Sequence, residues 1–178
     1  MTCIVGIEVN NQVLIAGDLQ GTGRNNKINH TQPKVFNKGG VVFGFAGSYR
    51  FGQLLEYVVQ DPVVPNDEEE IYRWLVTVLV PDIKQVLKDH GADGNAHCLI
   101  GVKNQLWELQ QDYSVLRSIN GYASIGSGVE YANGSMFTSV KNNIRTVSDA
   151  EQALISAIEA AGTFSPSVGL TCEIVRTK

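Results

Sequence analysis

Cysteine, basic charge and long apolar runs are all scarce in this chain, and each shortage removes a class of protein from consideration. Its three cysteines, Cys3, Cys98 and Cys172, lie far apart, with no C-x-x-C pair and no histidine at metal-ligand spacing. Neither a disulfide framework nor a metal site is expected, and the thiols read as reduced core residues, with no cofactor called for. Lys and Arg total 14 against 18 Asp and Glu, and no basic cluster relieves the net charge of −4. Nucleic acid is therefore an unsuitable partner, because phosphate binding needs clustered cations. No run of 18 apolar residues exists, and no basic segment leads into an apolar one at the N-terminus. This argues against a membrane span and a secretory signal, so the chain reads as soluble and cytoplasmic. Repeats, low-complexity tracts and linkers are missing too, and 178 residues suit one domain over 1–178 with a core of its own.

What is present begins at the second residue. Removal of Met1 leaves Thr2 with a hydroxyl and a free α-amine, a nucleophile and a base in one residue. A residue as small as threonine after the initiator Met invites that excision. An amine still blocked by Met1 cannot act as base.

From Thr2 the chain reads as a strand through Val9, then Asn10-Asn11 as a turn, then Val13-Leu14-Ile15-Ala16 as a second strand. Lys34-Val35-Phe36 and the run Val41 to Ala46 form another pair, so four strands precede any helix. Leu54, Leu55, Val58 and Val59 make one apolar face of a short helix from Tyr49, stopped by Asp61-Pro62. Asn66 is placed to cap a second helix, with Asp67 to Glu70 in its first turn, where the dipole favours negative charge. Pro81 should kink or divide that helix before it ends at Gly91. Strand patterns return between His97 and Ser124 and imply a second sheet. A small-residue helix follows Gly126-Ser127-Gly128, Ser148-Asp149-Ala150-Glu151 reads as the capping box of a last helix, and Leu170 to Val175 as a final strand. Strands, two helices, strands, two helices and a strand suggest two sheets between two helical layers, an α+β fold.

Alone, Asp18 in Ala-Gly-Asp-Leu-Gln-Gly is a turn aspartate and Lys34 after Pro33 a surface lysine. Yet Thr2, Asp18 and Lys34 fall 16 and 16 residues apart on three consecutive elements, followed by Gly44-Phe45-Ala46-Gly47. This register resembles the proteasome β-subunit family. The Thr-x-Ile-Val start, Ala-Gly-Asp, Pro-Lys-Val-Phe, Gly-Phe-Ala-Gly and Ser-Ile-Gly-Ser-Gly-x-x-Tyr-Ala at 124–132 are each weak but strong in order. They are most similar to HslV-type subunits and short proteasome-like proteins of bacteria and phages, over nearly the whole chain.

The resemblance implies the four-layer αββα sandwich of N-terminal-nucleophile hydrolases. It casts Thr2 as nucleophile and its own amine as base; the reference pKa of an α-amine, about 7.7 to 8.0, suits proton transfer near neutrality. Lys34 becomes the cation that lowers this value and Asp18 the group that holds Lys34. Gly44 matches the backbone donor to the oxyanion, and Ser127 the serine that orients the amine. The family carries an aspartate and a serine in the loop before the last strand. Here Ser167 matches the serine, and the aspartate has no counterpart in Gly162-Thr163-Phe164-Ser165-Pro166-Ser167.

The activity that the resemblance implies is hydrolysis of peptide substrates inside a homo-oligomer of stacked six- or seven-membered rings, with an unfoldase ATPase as partner. Two other readings stay open: a catalytically silent assembly subunit that retains Met1, and an amidohydrolase acting on a small amide. A cysteine–histidine pair drawn from His30, His90 or His97 with Cys3 or Cys98 is not selected by any spacing. Cys3 could be an N-terminal nucleophile only if two residues were removed.

Overall fold

The computed structural model describes residues 2–22, 27–29, 32–92 and 97–178. Eleven strands are defined among them: β1 (Cys3–Val9), β2 (Gln12–Asp18), β3 (Gln20–Thr22), β4 (Lys27–Asn29), β5 (Val35–Lys38), β6 (Val41–Phe45), β7 (Cys98–Val102), β8 (Gln105–Leu109), β9 (Val115–Arg117), β10 (Tyr122–Gly126) and β11 (Cys172–Arg176). The helices are α1 (Tyr49–Tyr57), α2 (Ile71–Trp74), α3 (Val80–Asp89), α4 (Val129–Lys141) and α5 (Val147–Phe164).

Strand alternation decides the layers. In β1, Cys3, Val5 and Ile7 pack with Leu154, Ile158 and Ala161 of α5, while Ile4 points the other way, toward Val35 and Leu99, as a pleated backbone requires. One sheet runs β10-β1-β2-β11 and the other β5-β6-β7-β8-β9, all neighbours antiparallel. Three apolar clusters fill the three gaps: helices α1 to α3 on the second sheet, sheet on sheet around Ile4, Ile15, Val42 and Leu99, and α4 and α5 on the first sheet. This is the expected αββα sandwich.

Several local expectations are corrected. The strands between His97 and Ser124 do not form a sheet of their own: β7 to β9 extend the one begun by β5 and β6, and β10 returns to β1. Pairing is non-local, so each strand's pattern gave its existence but not its neighbour. The β3–β4 ribbon was not anticipated at all. Asp67, not Asn66, caps the turn at Glu68–Glu70, accepting from Glu69 N at 2.9 Å. The division expected at Pro81 falls earlier, in a π-helical turn at Leu75–Leu79. Its wider spiral accommodates the missing N–H and the ring, which crowds the carbonyl four residues back. The capping box of α5 pairs Thr146 with Asp149, two residues before the predicted start at Ser148. No helix among the described residues is long and apolar enough to cross a membrane.

Candidate active site

Three strand ends converge at one edge of the sandwich. Thr2 leads directly into β1, Asp18 closes β2, and Lys34 stands immediately before β5. Thr2, Asp18 and Lys34 are 4%, 0% and 1% exposed, so the equal spacing in sequence becomes one buried cluster. Lys34 Nζ donates to Asp18 Oδ1 at 2.8 Å and to the Gln20 carbonyl at 2.5 Å.

The Asp18 carboxylate is saturated with donors. Besides Lys34, it accepts from Cys3 N at 2.8 Å, Gln20 N at 3.1 Å and Gly169 N at 3.0 Å. These bonds compensate a buried charge that would otherwise be too costly to hold. Burial pushes the Lys34 ammonium below its ordinary range, and the Asp18 carboxylate opposes that shift.

Thr2 is held from the far side by the β10–α4 junction. Ser127 Oγ accepts from Thr2 N at 3.1 Å, and Gly128 N donates to the Thr2 carbonyl at 3.3 Å. Ser127 Oγ is also 3.1 Å from Ser167 Oγ, so the loop after α5 reaches the same nitrogen. Gly126 makes the close approach possible: its φ is +96°, and a Cβ there would lie 2.2 Å from the Thr2 carbonyl oxygen. Gly126→Ala is therefore expected to displace Thr2 and cost about 1–3 kcal/mol by overpacking, readable in thermal melts.

A cleft of about 250 Å³ opens beside Thr2, lined by Ala46, Gly47, His97, Gln111, Gly126 and Ser127. His97 Nε2 lies 3.0 Å from Glu108 Oε1, and that hydrogen bond holds the Glu108 carboxyl below its usual range. His97 is thus partnered by a carboxylate rather than by a thiol, while the Cys98 Sγ donates to the Leu99 carbonyl. Burial, with Asp18 nearby, pushes the Cys3 thiol up to about 12, which leaves it inert at neutral pH. His30 and Met1 lie outside the described residues.

Of the residues singled out in the sequence, Thr2, Asp18, Lys34, Ser127 and Ser167 come together, and Gly44 does not. Gly44 lies inside β6 between the sheets, where a Cβ would meet Ile4 at 2.6 Å and Ile15 at 2.7 Å. Phe45 N donates to the Lys34 carbonyl and Ala46 N to the His97 carbonyl. Antiparallel alternation then directs the Gly44 N–H along the ladder toward Leu99 of β7, away from the cleft. Gly47, three residues on and past the strand end, lines the cleft with φ +96°, and its N–H has no acceptor among the described residues. The motif Gly-Phe-Ala-Gly offers both glycines, and only the strand boundary distinguishes them. Ser165 and the amides of Cys3 and Gly169 were also missed, since backbone donors carry no side-chain signature.

This architecture, with a threonine at the head of β1 between two sheets, is the N-terminal-nucleophile hydrolase fold of proteasome type. It aligns with the Thiobacillus denitrificans protein BPH in complex with epoxomicin at a TM-score of 0.83 and 18% identity, covering 99% of this chain and 98% of that one. It also aligns with eukaryotic HslV from Trypanosoma brucei at a TM-score of 0.70 and 19% identity, over 98% of both chains. In sequence the chain is similar to the ATP-dependent protease subunit HslV of Sulfurihydrogenibium sp. (strain YO3AOP1), with 29% identity over 168 residues, covering 90% of this chain and 88% of that protein. No protein-family model matches the chain.

Proposed function

We propose that the chain is a threonine-type peptidase subunit in which Thr2, freed of Met1, is the nucleophile. The observation that carries this reading is the Thr2 nitrogen set 3.1 Å from Ser127 Oγ, at the mouth of a cleft and beside the buried Asp18–Lys34 pair. The amine takes the proton from the Thr2 hydroxyl as that oxygen attacks a peptide carbonyl, and returns it to the leaving amine; water then releases the acyl group. Lys34 disfavours the protonated amine and so keeps the base free near neutrality. Asp18 holds Lys34 and, through Cys3 N, the start of β1.

The oxyanion donor in this mechanism is the Gly47 N–H in place of Gly44. Loss of such a donor costs about 2.7 to 4 kcal/mol in a serine protease. By kinship with HslV, the subunit works in a ring-shaped homo-oligomer that accepts peptide chains from an ATP-dependent partner. Intact-mass analysis combined with turnover of fluorogenic peptides tests the reading: a chain lacking Met1 and active on peptides is expected. A chain of full length, with the amine blocked, would overturn it and leave the silent assembly subunit.

A further inference from the structure

Two hydroxyls line up behind Ser127. Ser127 Oγ lies 3.1 Å from Thr2 N and 3.1 Å from Ser167 Oγ, and Ser167 Oγ lies 2.8 Å from Ser165 Oγ. Ser165 and Ser167 are buried, at 8% and 4% exposure, so bulk water competes little for these bonds. We propose that Ser165 is a positioning residue for the Thr2 amine, the anchor of a three-hydroxyl relay that fixes how Ser127 faces that amine. The inference rests on the reading of Thr2 as an N-terminal nucleophile.

A serine hydroxyl has one proton and two lone pairs, and its proton rotates to whichever acceptor is favoured. Ser127 has two choices, the Thr2 carbonyl at 3.3 Å and Ser167 at 3.1 Å. When the amine takes up a proton during attack, Ser127 serves it best with its own proton turned away, toward Ser167. Ser165 stands at the C-terminus of α5, the negative end of the helix dipole, which favours O–H groups directed toward it. The chain is thereby biased from Ser127 to Ser167 to Ser165, and polarisation along it makes Ser127 a stronger acceptor.

The backbone around Ser165 is fixed for such a task. Its N–H donates to the Ala161 carbonyl at 2.8 Å, and its carbonyl accepts from Val168 N at 3.3 Å. The following Pro166 confines Ser165 to its extended conformation, φ −112° and ψ 119°. Pro166 O accepts from Gln20 Nε2 at 3.2 Å, and Gly169 N from the same loop donates to Asp18. One five-residue loop therefore supports both the amine side and the lysine side of Thr2.

The test uses the full chain prepared with Thr2 as its first residue. The pH dependence of acetic anhydride acylation at the Thr2 amine is followed by peptide mass, and folding by thermal melts. Ser165→Ala is expected to lower the midpoint by about 0.3–0.5 pH, because a weaker acceptor favours the ammonium less. Ser167→Ala cuts the same relay and should give the same shift, which keeps the test available if Ser165→Ala does not fold. Ser165→Thr, which keeps the hydroxyl, should hold the original midpoint. In a Ser127→Ala background, Ser165→Ala should shift nothing further, since coupled residues are not additive. An unchanged midpoint in both alanine variants, or equal shifts with and without Ser127, overturns the proposal. The midpoint is read without substrate, so a chain that never cleaves peptide still tests the relay, and the peptidase reading fails or stands separately.

Discussion

Under the proposed mechanism, Thr2→Ala is expected to abolish peptide turnover in a chain that still folds. The substitution removes one hydroxyl and one methyl from a side chain at the start of β1, while the bonds that hold the residue in place run through its nitrogen and carbonyl and remain. Ser127 and Gly128 therefore keep their partners, and the stability change stays small. The amine also remains, so the variant separates the proposed nucleophile from the proposed base. The expected loss is on the order of 10⁴-fold or more in kcat/KM, the scale seen when a nucleophile is removed from a working site. Thr2→Ser restores the hydroxyl and should recover turnover. Extending the chain with an uncleavable N-terminal tag should be as damaging as Thr2→Ala, because an amide nitrogen cannot take the proton. A fully active tagged chain would disprove the amine as base.

The second large effect concerns the buried ion pair. Removing one partner of such a pair costs about 3–5 kcal/mol, since the other charge is left without compensation. The two partners are not equivalent here. Lys34→Ala leaves Asp18 with three backbone donors, Cys3, Gln20 and Gly169. Asp18→Ala leaves the Lys34 ammonium with the Gln20 carbonyl and also deprives those three amides of their acceptor. Denaturant titration should place Asp18→Ala at the upper end of that range and Lys34→Ala at the lower end, with turnover lost in both; a reversed order would contradict the bonding scheme. The lowered Lys34 pKa adds a pH signature. The unfolded chain binds a proton at Lys34 more readily than the folded one between the lowered value and 10.5. The stabilisation it contributes is full above that window and is lost as pH falls through the folded value. The stability of the parent chain relative to Lys34→Ala should therefore rise with alkalinity over this window.

Much of the fold was legible because local patterns are redundant. Alternation in Cys3 to Val9, the apolar stripe through Leu54 and Leu55 and the small-residue face of Ala153, Ala157 and Ala161 each indicate an element type from its own residues. Pairing was less accessible. Nothing within Tyr122–Gly126 says that it joins β1 rather than β9, because the choice depends on the edge that remains open after the other strands have paired. The helix starts at Asp67 and Thr146 were missed for a smaller reason: adjacent Asn, Asp, Ser and Thr residues compete as caps, and packing of the following turn selects among them.

The same division holds at the site. The groups available can be read from the chain alone: a threonine behind the initiator Met, an aspartate and a lysine in equal register, a serine between glycines, and two candidate glycines in Gly44-Phe45-Ala46-Gly47. Their side chains are chemically distinctive, and the spacing is set by strands whose lengths can be read from the chain. Packing alone reveals which glycine faces the cleft, that Gly169 and Cys3 supply amides to Asp18, and that Ser165 stands behind Ser167. A backbone N–H is the same on every residue but proline, so its role follows from where the ladder ends and where a distant loop returns. That information arises only when the sheets close on each other.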